Sequence, residues 1–134
     1  MARMIFVNLP VADVARSRAF YAALGFSINE RFSNDEAVCI VVAENIHVMA
    51  LARPFFRTFT RMPLADATRQ IGALYALSCE SRDAVDAITA AALAAGGTEP
   101  TPARDMGFLY NRTFADPDGH TWEPMWMDPD AAEG

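Results

Sequence analysis

The chain has 134 residues, of which 52% are hydrophobic and 21% charged, and its formal net charge at pH 7 is −6. This composition is typical of one folded domain, or of two half-size modules, and excludes a disordered chain. The acidic balance, with scattered arginines, argues against nucleic acid as a partner, and no apolar stretch is long enough to span a membrane.

The two cysteines, Cys39 and Cys79, each lie in an apolar run typical of a strand. The chain has no Cys-x-x-Cys motif and too few cysteines for a secreted disulfide scaffold, so we expect free, buried thiols. The first residues carry one arginine and a short apolar run without a small-residue cleavage site, which favours a strand over a signal peptide. The expected location is therefore the cytoplasm.

The first half of the chain is predicted to form a strand, a helix and three further strands. The run RMIFVNLP is a strand ended by Pro10, and Asp13 can cap a helix, VARSRAFYAAL, that stops at Gly25. The runs FSINERF, EAVCIVVA and NIHVMALA have the length of strands and are separated by short polar turns. The predicted order is β-α-β-β-β.

The second half repeats this order after an aromatic and basic segment, residues 53–71, expected to be a linker, a lid or a loop with a short helical turn. GALYALSCES predicts a strand, and Ser81 can cap a second helix, RDAVDAITAAALAAGG. TEPTP, GFLYNRTF and HTWEPMWM are the remaining strand candidates, the last following an Asp-Pro-Asp-Gly turn. We expect the polar tail DPDAAEG to be frayed.

The repeated order indicates an internal duplication within a single domain, residues 1–134. Module one spans about residues 3–52, the linker about 53–71 and module two about 72–127. The predicted fold class is α+β, with two βαβββ modules forming an eight-stranded open cleft. Because each half alone would expose one face of its sheet, we expect the concave surface to hold a ligand pocket.

Two stretches, LPVADVARSRAFYAALGF and FADPDGHTWEPMW, carry a resemblance to a known family. With the paired β-α-β-β-β order, the chain resembles the vicinal oxygen chelate superfamily, which includes glyoxalase I, bleomycin-resistance proteins and extradiol dioxygenases. The resemblance covers about residues 3 to 127. It implies a small organic ligand and a homodimer, because superfamily members are commonly homodimers in which modules pair.

The resemblance also implies positions for metal ligands, which metal-using members of the superfamily fill with His, Gln or Glu. The first-strand position falls on Phe6, the fourth-strand position on Met49 or His47, the position opening the second half on Leu74, and the last on Glu123. A catalytic divalent ion needs about three N or O donors. Only Glu123 matches, so we expect no metal and no cofactor; a register slip on the first strand would place Asn8 there, still a poor ligand.

Glu123 shares its strand face with Thr121 and Met125 and lies among apolar residues. It is the candidate catalytic residue, and it is interpreted either as a pocket carboxylate that orients a cationic or hydrogen-bonding ligand or as a partly solvated glutamate without a role. A buried carboxylate without a metal either becomes protonated or has a cation beside it. We expect that cation to be Arg112, within ~6 Å and lining the same cleft.

Other candidates are histidines and aromatic residues. His47 is either a pocket base or a hydrogen-bonded core residue, and His120 is expected to be a turn or surface residue. An aromatic set either lines a pocket for a flat ligand or packs in the core and a dimer interface: Phe55, Phe56, Phe59, Phe108, Tyr110, Trp122 and Trp126. The predicted substrate-binding residues are Phe6, Asn8, His47, Met49, Leu74, Tyr110, Arg112 and Glu123.

Three functions remain open on the sequence. The first is a metal-independent binder of a small organic molecule, acting by sequestration or by an isomerase or lyase step. The second is a metal-dependent enzyme resembling lactoylglutathione lyase. The third is an interaction module whose cleft is filled by the side chains of Phe6, Met49, Leu74 and Trp122.

Overall fold

The computed structural model describes residues 2–132. The chain divides into two compact units, Met1–Asp66 and Ala67–Gly134, and the boundary falls inside the predicted linker. Within the described residues, no helix is long and apolar enough to cross a membrane.

The first unit is a four-stranded sheet with one long helix. Its elements are β1 (Ile5–Val11), α1 (Val14–Ala23), β2 (Ser27–Asn29), β3 (Ala37–Ala43), β4 (Ile46–Ala52) and the short α2 (Arg53–Phe56), with 3₁₀ turns at Glu30–Phe32 and Arg57–Phe59. The strand order is β1-β4-β3-β2, and β1 runs parallel to β4. This parallel pairing follows from the helix that connects β1 back to the sheet.

The second unit repeats the arrangement. Its elements are β5 (Leu74–Ser78), α3 (Arg82–Ala94), β6 (Arg104–Asp105), β7 (Leu109–Asn111), β8 (Phe114–Ala115), β9 (Thr121–Met127) and a last helical turn, α4 (Pro129–Ala132). The strand order is β5-β9-β7-β6, β8 pairs with β9, and β5 runs parallel to β9. The predicted α+β class, with two βαβββ modules and open sheets, is confirmed.

The second sheet differs from the prediction in its short strands. TEPTP contributes only a bridge between Thr98 and Ala115, and β6 lies further along the chain. Pro100 and Pro102 lack the backbone N–H that a ladder needs, which explains the displacement. GFLYNRTF is divided into β7 and β8, so the described part of the second unit has five strands instead of four. The predicted frayed tail includes the α4 turn, and its last two residues lie outside the described chain.

Both predicted helix caps are present. The Asp13 side chain accepts a hydrogen bond from the Arg16 N–H at 3.1 Å, and the Ser81 hydroxyl accepts one from the Ala84 N–H at 3.1 Å. Each helix packs on its own sheet, α1 on β3 and β4 and α3 chiefly on β9. The helix therefore covers one face of each sheet, and the face turned away from it is available for a site.

The aromatic segment after β4 contains α2 and the second 3₁₀ turn, which agrees with the predicted loop with a helical turn. α2 contacts β1 and β4, and the rings of Phe55 and Phe59 meet edge to face at 5.1 Å. Pro54, at the start of α2, suits a helix's first turn, where no intrahelical N–H partner is needed. Both cysteines are free thiols, Cys39 buried and Cys79 half-buried, and burial raises the pKa of each.

Candidate functional site

The strand ladders place the predicted site positions equivalently in the two units. In the first sheet Phe6 lies beside His47, and in the second Leu74 lies beside Thr121. Two residues further on, β4 carries Met49 and β9 carries Glu123. Residues two apart along a strand share a face. Met49 and Glu123 therefore occupy corresponding positions in the two sheets, each on the face turned away from its helix.

Glu123 borders a cavity of about 480 Å³ in the second unit. The carboxylate is half-buried and has no hydrogen-bond or ion-pair partner among residues 2–132. Leu74 and Ile71 supply apolar walls, and Thr113 and Thr121 supply hydroxyl groups. An acid in such surroundings is free to bind a positive or hydrogen-donating group, since no protein group satisfies it.

The Asp-Pro-Asp-Gly turn packs against Ala67, one of the residues that line this cavity. The Asp116 carboxylate accepts hydrogen bonds from the N–H groups of Asp118 and His120, both at 2.9 Å, and closes the turn. Gly119 has a φ of 90°, and a Cβ there would lie 2.5 Å from the Ala67 backbone. Only glycine allows this approach, and Ala67 itself lines the cavity. The motif is therefore structural and positions the start of β9.

The expected pair between Arg112 and Glu123 does not form. The Arg112 guanidinium instead donates hydrogen bonds to Glu99 at 2.9 and 3.0 Å and to Asp86 at 3.1 Å. The Arg112 N–H donates to the Pro124 carbonyl, so Arg112 lies opposite Pro124, one residue out of step with Glu123. Residues that lie opposite each other on adjacent strands point to the same face of the sheet. Arg112 therefore points to the face of Pro124, towards α3, whereas Glu123 points to the other face.

Tyr110 also faces α3, because it pairs with Trp126 in the ladder and its hydroxyl donates to the Asp86 carboxylate at 2.6 Å. The hydrogen bonds from Tyr110 and Arg112 hold the pKa of Asp86 below its ordinary value, and those from Arg112 lower the pKa of Glu99. These groups form a network that ties α3 to β7. The predicted substrate-binding residues Tyr110 and Arg112 therefore lie outside the cavity beside Glu123.

Arg82, the first residue of α3, extends the same surface. Its guanidinium donates to both Asp105 oxygens at 2.8 and 3.0 Å and to the Gly107 carbonyl at 2.8 Å. It also lies 5.1 Å from the ring centres of Tyr110 and Trp126. The hydrogen bonds from Arg82 and from the Gly107 N–H lower the pKa of Asp105 to about 2. The members of this cluster are far apart along the chain, so no local sequence pattern indicates it.

His47 is buried, with 7% of its surface exposed, and its ring stacks on Phe6 at 4.7 Å and 13°. Both imidazole nitrogens are buried and have no hydrogen-bond partner among the described residues. The described residues therefore supply no hydrogen-bond partner for the expected core histidine. His120 is also buried, which corrects its expected surface position, and its backbone is held by Asp116 as described above.

Trp122 cannot fill the predicted cleft, because it lies on the face of β9 opposite Glu123. It is buried in the core of the second unit, with its ring parallel to Phe114 at 6.4 Å and tilted against Tyr75 at 5.3 Å. Phe6 and Leu74 remain 49% and 51% exposed. The arrangement weakens the hypothesis of an interaction module closed by these side chains.

Several residues that pattern reasoning overlooked lie on the Glu123 face or border its cavity. Arg69 and Gln70, from the segment before β5, line the cavity with Thr113. Asn111 shares the face of Glu123 through its ladder partner Met125, and its side-chain oxygen is buried without a partner in the described chain. Strand alternation predicts Asn111, whereas Arg69 and Gln70 could be found only from the path of the loop.

Asn8 lies in another cavity, of about 280 Å³, within the first unit. The cavity is bounded by the sheet residues Asn8 and Leu51 and by Phe56, Phe59 and Thr60 of the aromatic segment. Met49 is half-buried beside Asn8 in the ladder. The predicted substrate-binding residues of the first module thus share one face but only Asn8 borders this cavity.

The metal positions that the resemblance implies do not fit a catalytic divalent ion. Phe6, Met49 and Leu74 offer no oxygen or nitrogen donor, and Glu123 with His47 as the alternative on the fourth strand gives at most two of the roughly three ligands that a catalytic ion needs. Within residues 2–132, no group of three or more His, Cys, Asp or Glu side chains lies close enough to hold a metal ion. The described residues therefore do not form the ligand set of a catalytic metal ion.

Comparison with known proteins agrees with this architecture. The family model described as "Bleomycin resistance protein-like N-terminal" matches residues 3–43. Hypothetical protein SA1046 from S. aureus is 25% identical, with 94% of each chain covered and a TM-score of 0.79. A glyoxalase-related enzyme from Fulvimarina pelagi is 20% identical, with 94% of this chain and 88% of that chain covered and a TM-score of 0.79.

A glyoxalase/bleomycin resistance protein/dioxygenase family enzyme from Burkholderia phytofirmans PsJN is 19% identical, with 94% of this chain and 99% of that chain covered and a TM-score of 0.76. No curated protein matches the chain. At these identities the solved structures establish the fold alone.

Proposed function

With the resemblance to the vicinal oxygen chelate superfamily confirmed in its fold and in residues 3–43, we propose that this protein binds a small organic molecule without a metal. The ligand occupies the cavity beside Glu123, and the carboxylate binds its positively charged or hydrogen-donating group. The observation that carries the proposal is a half-buried carboxylate, without a partner in the described chain, at the wall of a cavity of about 480 Å³.

The cavity has the properties of a small-molecule site. Its volume lies within the usual range of ligand pockets, roughly 300–1,000 Å³. Its walls combine apolar surface from Leu74 and Ile71 with the hydroxyl groups of Thr113 and Thr121. The Thr121 hydroxyl already donates to the Gly119 carbonyl at 3.1 Å, so it offers a ligand its lone pairs. Such a site binds an apolar body and orients one polar group.

The role is sequestration of the ligand, or an isomerase or lyase step that needs no metal. For such a step Glu123 is the candidate catalytic residue, because it is the carboxylate that borders the cavity and can accept a proton from the ligand. The proposal includes a homodimer in the cytoplasm. Exposed apolar side chains on the first unit support self-association: Met4, Ile5, Phe6 and Ile46. Sedimentation analysis of the purified chain measures it.

A thermal-shift experiment tests the site. The probes are thiol conjugates, aromatic acids and antibiotics, together with benzylamine and its neutral analogue benzyl alcohol. A ligand that binds only the native state raises the melting temperature. We expect benzylamine to raise it more than benzyl alcohol, and Glu123→Gln to remove that difference. Glu80→Gln, an exposed glutamate of the same unit outside the cavity, is the matched control. An equal response of both variants to the amine would refute the role of Glu123.

The metal-dependent alternative, an enzyme resembling lactoylglutathione lyase, has its own test. The purified protein is dialysed against nickel or zinc and the bound metal is measured. We expect less than one tightly held ion per chain, because the ligand positions that the resemblance implies supply one carboxylate and at most one imidazole. Stoichiometric binding that is lost in Glu123→Gln would replace the proposed function with the metal-dependent one.

A further inference from the structure

We propose that the first unit holds a second ligand site, for a single planar aromatic ring that carries a hydrogen-bond donor and an acceptor side by side. A primary aromatic amide or a lactam has this chemistry. The site is the cavity of about 280 Å³ bounded by Asn8, Leu51, Phe56, Phe59 and Thr60. It shares no residue with the cavity beside Glu123, so this inference goes beyond the proposed function.

The walls of the cavity are held in place by local structure. α2 contacts β1 and β4, which sets Phe56 over the sheet. The Thr58 hydroxyl donates to the Phe55 carbonyl at 2.7 Å and stabilises the turn that carries Phe59. The rings of Phe55 and Phe59 then meet edge to face, with an interplanar angle of 79°. A third ring can join this pair, since aromatic rings favour edge-to-face and offset contacts.

The volume limits the size of the occupant. A cavity of about 280 Å³ is at the lower limit for small-molecule sites, which start near roughly 300 Å³. One ring with a short substituent fits, whereas a drug-sized molecule does not. The apolar walls from Leu51 and the two phenylalanines favour a ring over a sugar or an amino acid of similar volume.

Asn8 supplies the polar recognition. Asn8 is exposed, and its side-chain amide makes no hydrogen bond with the described residues, so its two donors and its acceptor oxygen face solvent or a ligand. The other polar side chain of the cavity is Thr60, whose hydroxyl already accepts the Met62 N–H at 3.2 Å. The amide of Asn8 can pair with an amide of the ligand through one donor and one acceptor. A ring without such an adjacent donor and acceptor would cover Asn8 and leave part of its amide without a hydrogen bond.

Titration of the intact, isotope-labelled chain by NMR tests the proposal. The probe is benzamide; cyclohexanecarboxamide keeps the amide without the aromatic ring, and methyl benzoate keeps the ring without the donor. We expect benzamide to shift the side-chain resonances of Asn8 and the backbone resonances of Phe59 and Thr60. Both analogues should bind at least about fivefold more weakly, in line with one lost hydrogen bond or ring contact. Equal affinity for the three probes would overturn the proposal.

Variants separate the ring from the amide. Asn8→Leu should weaken benzamide about fivefold and methyl benzoate by less, because the ester can make only the one hydrogen bond that its carbonyl accepts from Asn8. Phe59→Leu should weaken the binding of both aromatic probes. Phe32 is 63% exposed and lies outside the cavity, so Phe32→Leu should weaken the binding of neither. If Asn8→Leu fails to fold, the benzamide affinities of Phe59→Leu and Phe32→Leu are compared instead. Benzamide shifts that persist unchanged in Phe59→Leu would contradict the site.

Glu123→Gln distinguishes this inference from the proposed function. Benzamide binding should be unaffected by Glu123→Gln, because Glu123 does not line this cavity. Loss of benzamide binding in Glu123→Gln would mean that the aromatic ring binds at the other site. A chain that binds benzamide but not benzylamine would retain this inference and refute the first.

Discussion

The first unit stacks Phe6 on a buried His47, whereas the second has Leu74 beside Thr121 at the same ladder positions. Two residues further along, a thioether in β4 corresponds to the carboxylate of Glu123 in β9. The two units share their strand order, their capped helices and their register. The two sheets therefore have equivalent backbone positions that carry chemically different side chains. This is possible because the hydrogen bonds between strands involve only main-chain atoms.

The helix faces of the two units differ as well. In the second unit Arg112 joins two carboxylates and Arg82 holds the β6–β7 hairpin, so charged groups bind the helix to the sheet. In the first unit the Arg18–Glu30 pair is largely exposed. Exposed pairs contribute little to stability, so the two networks should respond unequally to removal of their cations.

Gly119→Ala should have the largest effect on stability. Its Cβ would lie 2.5 Å from the Ala67 backbone, and the backbone conformation itself favours glycine. We expect the free energy of unfolding to fall by at least about 3 kcal/mol, measured by urea denaturation. Gly96→Ala is the control, since it has a similar positive φ and nothing within 4 Å of the added carbon. A Gly119→Ala loss no larger than that of Gly96→Ala would contradict the close approach.

Arg112→Met should come next, because it leaves Asp86 and Glu99 without their shared cation. We expect a loss of about 2 kcal/mol at pH 7, against less than about 1 kcal/mol for Arg18→Met in the first unit. Losses of the same size would show that the two networks are equivalent.

Arg112→Met should also reduce the pH dependence of the unfolding free energy at acid pH. The pKa values of Asp86 and Glu99 are lower in the folded chain than their ordinary values of 3.8 and 4.5. Their contribution is therefore present above those values and is lost as the pH falls below them. Arg112→Met raises both pKa values towards the ordinary ones, so its unfolding free energy should depend less on pH between about 5 and 2. An unchanged slope in that range would refute this account.

His47→Leu should have a smaller effect and the opposite sign. Two buried nitrogens without partners in the described chain destabilise the native state, and an apolar side chain of similar size removes that penalty. We expect the unfolding free energy to rise by about 1 kcal/mol. Thr121→Val, at the corresponding ladder position, should lower it by about 1 kcal/mol because it removes the hydrogen bond to Gly119. A loss of stability in His47→Leu would show that the imidazole is hydrogen-bonded, for example to a buried water.

Glu123→Gln should have the smallest effect on stability. The carboxylate has no hydrogen-bond or ion-pair partner among the described residues, so the exchange removes no contact within that part of the protein. We expect the unfolding free energy in urea to change by less than about 0.5 kcal/mol. Together with a loss of amine binding, that result would assign Glu123 to a ligand and not to the fold. A large destabilisation would assign it to the fold.

The sequence alone determined both long helices and the longer strands of the two modules, whereas the short strands of the second module differed from the prediction. The capping side chains of Asp13 and Ser81, the glycine stops and the strand-length apolar runs act over a few residues, so the pattern predicted them correctly. Strand alternation also determined that Glu123 shares a face with Thr121. Local signals of this kind depend on short-range geometry, which a linear pattern records.

Only the tertiary structure decided which groups meet across long separations. Arg112 is paired with Asp86, 26 residues away, although its position near Glu123 in the ladder favoured another partner. The burial of His47 beneath Phe6, and the loop residues that line the cavity beside Glu123, follow from packing between segments that are distant in the chain. Such contacts depend on which face of a strand the helix covers, and no stretch of residues encodes that choice by itself.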